Sequence, residues 1–356
     1  MTTLVGRGVV GQGPAATTRG GRMLTLYVGD LHFSGWSMRG RVAVAEKGLP
    51  VAERIVELDW PIRESPDGVL FAGDGTDERE AGIGCACDAD ELAEADVEGI
   101  LEDSAMSLLP RVPILADTET GAVAGDVVSI AEYLDEIAPD SGPSLMGTTR
   151  RQRALVRSIS AWASHDLPYL REGASYARSL RTAPGIPGPG AVEQARWLCD
   201  VVSGLLRRSG GPFLVGDFGL ADVMVSTYFQ QLRGWHIGID DPTVRDYAGR
   251  LLERPSVADH IDQARAIYRA IDEAPTGSPQ WILRHYRYHP GKQLLHDWQR
   301  DRCEQLVNTT AAEAVQLAYQ GLDLEQITQT LAQTYEVPPE RVADDVTTLF
   351  ARLSPA

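Results

Sequence analysis

Two hydroxyls stand three residues apart in Ser34-Gly35-Trp36-Ser37, where a stretch of helical apolar spacing, Ser37 to Lys47, begins; Gly48 and Pro50 close it. The N–H groups exposed at a helix N-terminus, together with a hydroxyl donor, lower the pKa of a thiol held there and favour its thiolate. Two cysteines at this spacing would exchange disulfides. Serines cannot, so the remaining chemistry is hydroxyl activation of a thiol that a ligand brings. Serine is also a common helix N-cap, and either residue fits that structural role. Ser34 is the first catalytic candidate and Ser37 the second.

The elements that would position this pair follow from the flanking pattern. Leu24 to Val28 reads as a buried strand, Ser37 to Lys47 as a helix and Arg54 to Leu58 as a second strand, a βαβ opening with short connections. Pro113 to Ala116 and Ala122 to Ala124 read as a hairpin around Asp117 to Gly121, and Val127 to Glu136 as a helix. The order βαβ, insert, ββα is that of a thioredoxin-like α/β domain over residues 23–143. From 144 to 273 no strand pattern appears. Helical stretches run over Thr149 to Leu180, Val192 to Arg208, Leu220 to Gly234 and Val257 to Ile271, divided by Pro and Gly clusters such as Pro184 to Gly190.

Four segments in this order resemble the glutathione transferase superfamily over about Leu24 to Ile271. Phe33 to Arg41 is similar to the serine-bearing loop and first helix of bacterial and zeta-like transferases. Leu109-Pro110-Arg111-Val112-Pro113-Ile114-Leu115 resembles the segment that carries a cis-proline before the third strand. Asp126 to Leu134 resembles the helix that receives the γ-glutamyl end of glutathione, and Phe213 to Val223 resembles the buried capping segment of the helical domain. The resemblance implies glutathione as cosubstrate, with Val112, Pro113 and Asp126 as its binding residues. A cis bond at Val112-Pro113 would turn the Val112 backbone toward a ligand peptide, and the Asp126 carboxylate would pair with an α-ammonium. The sequence departs from the family at Val127, where a serine usually binds the γ-glutamyl carboxylate, and at Gly219, where Ser or Thr usually caps a helix that Asp222 completes. Asp222 reads as structural. The acceptor pocket would lie between these two domains, near Trp36, Tyr169, Tyr176, Tyr228 and Trp235.

The formal net charge of −17 is concentrated in one insert: residues 62–107 hold 14 Asp and Glu against Arg63 and Arg79, or −12. A surplus of that sign repels phosphate backbones and argues against nucleic acid as a partner. The insert reads as a solvated loop with a short acidic helix near Asp88 to Leu101; the alternative is a lid or partner surface. Cys85 and Cys87 sit inside it without a nearby His or second Cys pair, so no metal is expected. Four cysteines in 356 residues make no disulfide scaffold. With no apolar run of eighteen residues and no secretory pattern in residues 1–22, which read as a disordered leader, the expectation is a cytoplasmic protein without a membrane span.

After a linker at 274–280, the chain changes character. Trp281 to Tyr288, Gln293 to Trp298 and Cys303 to Val307 are strand-like; Thr310 to Tyr319, Leu324 to Tyr335 and Pro339 to Leu353 are helical. Three strands and three helices over 281–356 make a winged-helix-like α+β module. The segments Leu306 to Val315, Leu324 to Ile327 and Tyr335 to Val342 resemble the PqqD-like recognition elements of ribosomally made peptide natural products. In that family an unfolded leader peptide adds a strand beside the third strand and packs on the last helix. The resemblance gives Gln305, Val307, Val342, Val346 and Phe350 as peptide-binding residues; some of these apolar side chains must also fill the small core. The second and third helices are not basic, which argues against DNA.

Together the two resemblances imply a tailoring enzyme that holds a precursor through its leader and uses glutathione or another thiol at the core peptide. Other biosynthetic enzymes are further candidate partners, and a homodimer is compatible with the body. A non-catalytic scaffold and a detoxifying transferase with an accessory domain are the alternatives.

Overall fold

The computed structural model describes residues 24–29, 31–55, 62–64, 70–72, 112–181, 185–188, 190–274, 278–282, 286–289, 293–297, 302–306, 308–319 and 322–353. They form two compact units. One comprises the described residues up to 55 and from 112 to 266; the other comprises those of 62–72 and from 267 onward.

In the first unit, β1 (Leu24–Val28) is apolar and buried along its whole length and lies at the centre of a four-stranded sheet of order β2-β1-β5-β6. β2 (Val51–Ile55) runs parallel to it, and β5 (Ile114–Asp117) and β6 (Ala122–Ala124) complete the sheet antiparallel. This is the thioredoxin-type arrangement expected. β2 begins three residues earlier than its apolar pattern suggested, because α1 (Gly35–Lys47) ends at Gly48 in the left-handed conformation, φ 61°, and the chain turns into the sheet directly after Pro50. α2 (Val127–Ile137) packs against α1.

The remainder of this unit is helical. The long helix expected over Thr149 to Leu180 is three: α3 (Arg150–His165), α4 (Pro168–Gly173) and α5 (Tyr176–Ser179). Pro168 lacks the N–H needed to continue α3 and disfavours helical backbone at Leu167, so it starts α4 instead. α6 (Ala191–Ser209) and α7 (Leu220–Gly234) match their patterns. α8 (Pro242–Leu252) was not expected. It starts at an Asp241 cap with Pro242 in its first turn, and α9 (Pro255–Glu273) follows. α7 is the core helix: fourteen of its fifteen residues are buried, including Asp222, Gln230 and Gln231. So many buried polar groups need partners. Gln230 donates to the Ser179 carbonyl at 3.0 Å, and Tyr228 to that of Ala163 at 2.6 Å.

The second unit contains α10 (Pro279–Ile282), a three-stranded antiparallel sheet of order β7-β8-β9 and three helices. The strands are β7 (Tyr286–His289), β8 (Leu294–Asp297) and β9 (Arg302–Gln305). The helices are α11 (Thr309–Tyr319), α12 (Leu324–Thr334) and α13 (Pro339–Leu353). Trp281 and Ile282 belong to α10 and not to the strand expected from Trp281 onward. Asp323 and Gln326 form the capping box of α12. One core joins sheet and helices: Tyr286, Leu295, Leu306, Val315, Ile327, Leu331, Val346 and Phe350 are all buried.

A hairpin was not expected in the acidic insert. β3 (Ile62–Glu64) pairs antiparallel with β4 (Leu70–Ala72), and both group with the second unit, not with the sheet that precedes them in sequence. The acidic helix expected near Asp88 to Leu101, Cys85, Cys87 and residues 1–22 lie outside the described residues.

Candidate active site

The Ser34 loop is built by α1 and by what packs on it. Ser34 is the N-cap, with extended backbone (φ −92°, ψ 103°), and its carbonyl accepts from Met38 N–H at 3.1 Å. Its Oγ accepts twice from Ser37, from the backbone N–H at 3.1 Å and from the hydroxyl at 2.9 Å, while Ser37 Oγ accepts from Gly29 N–H at 2.8 Å. Both lone pairs of Ser34 Oγ are thereby engaged by donors, and its own proton has no acceptor among the described residues. That proton is the one available to a ligand. The chain of donors from Gly29 through Ser37 polarises it further. Ser37 is fully buried and Ser34 is 8% exposed, so the pair is arranged in series, Ser37 behind and Ser34 in front.

Pro113 closes the other side. The Val112-Pro113 bond is cis, as the resemblance implied. Gly40, in the middle of α1, faces it: a Cβ there would lie 2.7 Å from the Pro113 ring, so only glycine lets the helix seat against the proline. Asp126 caps α2. One carboxylate oxygen accepts from Val128 N–H at 2.6 Å and from Ser129 N–H at 3.4 Å, and the other from the Ser129 hydroxyl at 2.6 Å. The carboxylate is exposed and retains acceptor capacity. Val127 is buried in the core, and the hydroxyl that meets Asp126 is that of Ser129, two positions further on.

Two side chains around the loop, Arg39 and His260, were not legible in the sequence. Arg39 is 3% exposed, and its guanidinium donates to Thr227 Oγ1 on α7 at 3.2 and 2.9 Å. It stacks 4.4 Å from the Trp36 ring centroid and 5.1 Å from that of Tyr228. No carboxylate pairs with it among the described residues, and burial pushes its pKa below the ordinary guanidinium value. His260 on α9 contacts Arg41 Nη1 at 3.2 Å through Nδ1 and Tyr176 Oη at 3.0 Å through Nε2. Arginine only donates, so Nδ1 accepts and the imidazole proton sits on Nε2. Burial, then the charge of Arg41, lower the His260 pKa to about 3, and the ring is neutral. Tyr176 in turn covers the turn, since a Cβ on Gly35 would lie 3.3 Å from its ring.

Of the aromatic residues expected near an acceptor pocket, Tyr176, Tyr228 and Trp235 are buried, and Tyr169 is 55% exposed. Tyr228 and Trp235 both spend their polar ends on backbone carbonyls, those of Ala163 and Ser175. A cavity of about 370 Å³ lies elsewhere, between α7 and α8, lined by Phe229, Arg233, Ile237, Ile239, Arg245 and Leu252; no candidate residue lines it.

Asp222 has a structural arrangement. It is fully buried and accepts from Gly219 N–H at 3.0 Å, Leu214 N–H at 3.1 Å and Tyr247 Oη at 2.8 Å. Gly219 replaces a capping hydroxyl because a Cβ there would meet the Leu145 carbonyl oxygen at 2.8 Å, the same oxygen that accepts from Leu220 N–H.

In the second unit, Gln305 ends β9, opposite Leu294. Val307 lies outside the described residues. Val342, Val346 and Phe350 are 8, 3 and 0% exposed and belong to the core, so a peptide that reached them would have to displace part of that packing. Among the described residues no cluster of metal-ligating side chains exists, and no helix is long and apolar enough to cross a membrane.

Among solved structures the chain is similar to a glutathione transferase homologue from Burkholderia gl BGR1 with bound glutathione, at 22% identity, covering 68% of this chain and 99% of that one, with a TM-score of 0.44. It is also similar to glutathione transferase F2 from Populus trichocarpa (20% identity, 68% and 99% covered, TM-score 0.45) and to glutathione transferase Omega 3C from Trametes versicolor (19%, 67% and 88%, 0.43). No curated protein matches. The family model of the glutathione S-transferase N-terminal domain matches residues 33–137, and that of coenzyme PQQ synthesis protein D (PqqD) matches residues 305–355. The chain therefore joins a glutathione-transferase-like body, a thioredoxin-type sheet with a helical domain whose first part matches the family model, to a C-terminal PqqD domain.

Proposed function

We propose that the chain is a thiol-using tailoring enzyme of ribosomally made peptide natural products. Its PqqD domain captures the leader of a precursor peptide, and its Ser34 loop activates glutathione or another thiol toward an electrophilic residue of the core peptide. A dehydroamino acid is the simplest such residue. The thiolate sulfur bonds to its β-carbon, a proton is delivered to the α-carbon, and a thioether results with no change in net oxidation state. The reverse elimination returns the thiol.

The observation that carries this reading is the joining, in one chain, of a hydroxyl whose proton faces no acceptor among the described residues with a PqqD domain. A thiolate held at Ser34 would receive that proton as a hydrogen bond and lie at the positive end of α1. Cytoplasmic residence follows from the thiol chemistry, since reduced thiols persist there. Incubating the protein with glutathione and a dehydroalanine-containing precursor should add the mass of one glutathione per acceptor residue, and Ser34→Ala should slow that gain at least about tenfold. Equal rates in the two proteins would remove Ser34 from the chemistry.

One observation favours a second reading, a non-catalytic scaffold. Val127 is buried where the family usually offers a serine to glutathione. Calorimetry with reduced glutathione separates the two: millimolar binding supports the enzyme, whereas no heat from either this protein or Val127→Ser supports the scaffold.

A further inference from the structure

We propose that the β3–β4 hairpin of the acidic insert is a tethered occupant of the β9 edge, a strand that the chain supplies to the place where a peptide would add, so that peptide capture begins with its displacement. The second half of this proposal rests on the peptide-capture reading above; the occupancy itself does not.

β9 is a terminal strand. All four of its residues pair with β8, Arg302 with Asp297 through Gln305 with Leu294, and β7 lies on the far side of β8. The other side of β9 is therefore a sheet edge, whose N–H and C=O groups recruit any extended segment nearby. β4 is that segment. Its Cα atoms come within 8 Å of those of β9, although the two strands share no ladder, and β4 pairs only with β3.

The hairpin needs such a neighbour. Two paired strands of three residues each do not hold together alone in water, where a third strand or a packed face is required. Nothing in the transferase-type sheet supplies one, because its order β2-β1-β5-β6 contains no strand from the insert. Ser65-Pro66-Asp67-Gly68, between the two strands, has turn chemistry. The insert thus carries a short β unit that emerges from the body in sequence and is grouped with the PqqD domain in space.

Covalent attachment makes this occupant strong for its size. A segment of the same chain competes at an effective concentration fixed by its tether, whatever the concentration of protein. If it covers the edge nine-tenths of the time, an added peptide binds about ten times more weakly than to the bare edge.

The test uses the full chain and a variant in which residues 60–73 are replaced by a Gly-Ser segment of equal length. The probe is a fluorescein-labelled synthetic peptide of residues 59–74, followed by anisotropy. The variant should bind it at least about tenfold more tightly than the intact chain. Equal binding to both, or none to a variant whose PqqD domain melts cooperatively, overturns the proposal. Hydrogen exchange reads the same contact without a probe. The outward amides of Arg302 to Gln305 should exchange more slowly in the intact chain than in the variant, and equal rates in the two contradict occupancy. Titrating leader peptides against the same two proteins reads precursor capture separately, so a failure there leaves the hairpin result standing.

Discussion

The proposed thiol site at Ser34 and the proposed peptide edge at β9 are built in opposite ways. At Ser34 every supporting group is fixed by another: Gly29 holds Ser37, Ser37 holds Ser34, Gly40 admits Pro113 and Tyr176 covers Gly35. At β9 the groups on offer are backbone groups of a sheet edge, with an apolar core behind them. The first arrangement favours one small ligand in one orientation. The second tolerates many sequences, because a strand ladder uses groups every residue has. The proposed function, fixed chemistry on variable peptides, calls for one of each.

The comparison breaks most visibly through the cores. Phe350→Ala empties a fully buried site on α13 and should destabilise the PqqD domain by about 3–5 kcal/mol. Calorimetric scanning should show that transition lowered or lost while the body's is retained; loss of both would mean that the two do not fold independently. Asp222→Ala, the counterpart in the body, strands Leu214 N–H, Gly219 N–H and the Tyr247 hydroxyl and should cost about 3 kcal/mol of the body's transition alone. Gly40→Ala drives a methyl into Pro113 and should cost about 1–3 kcal/mol. Thiol turnover should fall with it and peptide binding should not. Preserved turnover would show that the seat of Pro113 does not shape the thiol site.

Much of this was readable in the chain. Ser34-Gly35-Trp36-Ser37 at the head of an apolar period located α1 and its cap, and Pro339 the start of α13; the cis bond at Val112-Pro113 was implied by the resemblance and not by the residues themselves. The hairpin was missed although Ser65-Pro66-Asp67-Gly68 between Ile62 to Glu64 and Leu70 to Ala72 is a turn signal, because the surrounding acidity reads as solvated loop. Arg39 and His260 were missed for a different reason. Arg39 meets Thr227 188 positions away and His260 meets Arg41 219 positions away, and no local spacing encodes such a contact. The same limit applies to Val342, Val346 and Phe350: their period marks an apolar face but not whether it meets the domain's core or a peptide.

A reversible effect sharpens the contrast through pH. The folded His260 has a pKa of about 3 against an ordinary 6.5, so as pH falls the unfolded chain binds the proton first. The stability this neutral histidine contributes is present above about 6.5 and lost progressively toward 3, about 2–4 kcal/mol across the window. Asp222 acts in the opposite sense over a narrower range, its pKa raised by burial from 3.8 to about 6. Urea titrations at pH 7.5 and 4.5 should show the body weakened in acid, and less so in His260→Gln. An equal acid loss in both would remove His260 as its cause.

The central claim is that the edge serves the loop, and one rate comparison tests it directly. Turnover of a dehydroalanine core peptide with glutathione is measured at low micromolar substrate, once with its leader attached and once with leader and core added as separate peptides. Tethering through the PqqD domain predicts kcat/KM at least about 100-fold higher for the linked substrate. Equal rates would contradict the account and leave a transferase whose PqqD domain has no part in delivering the peptide.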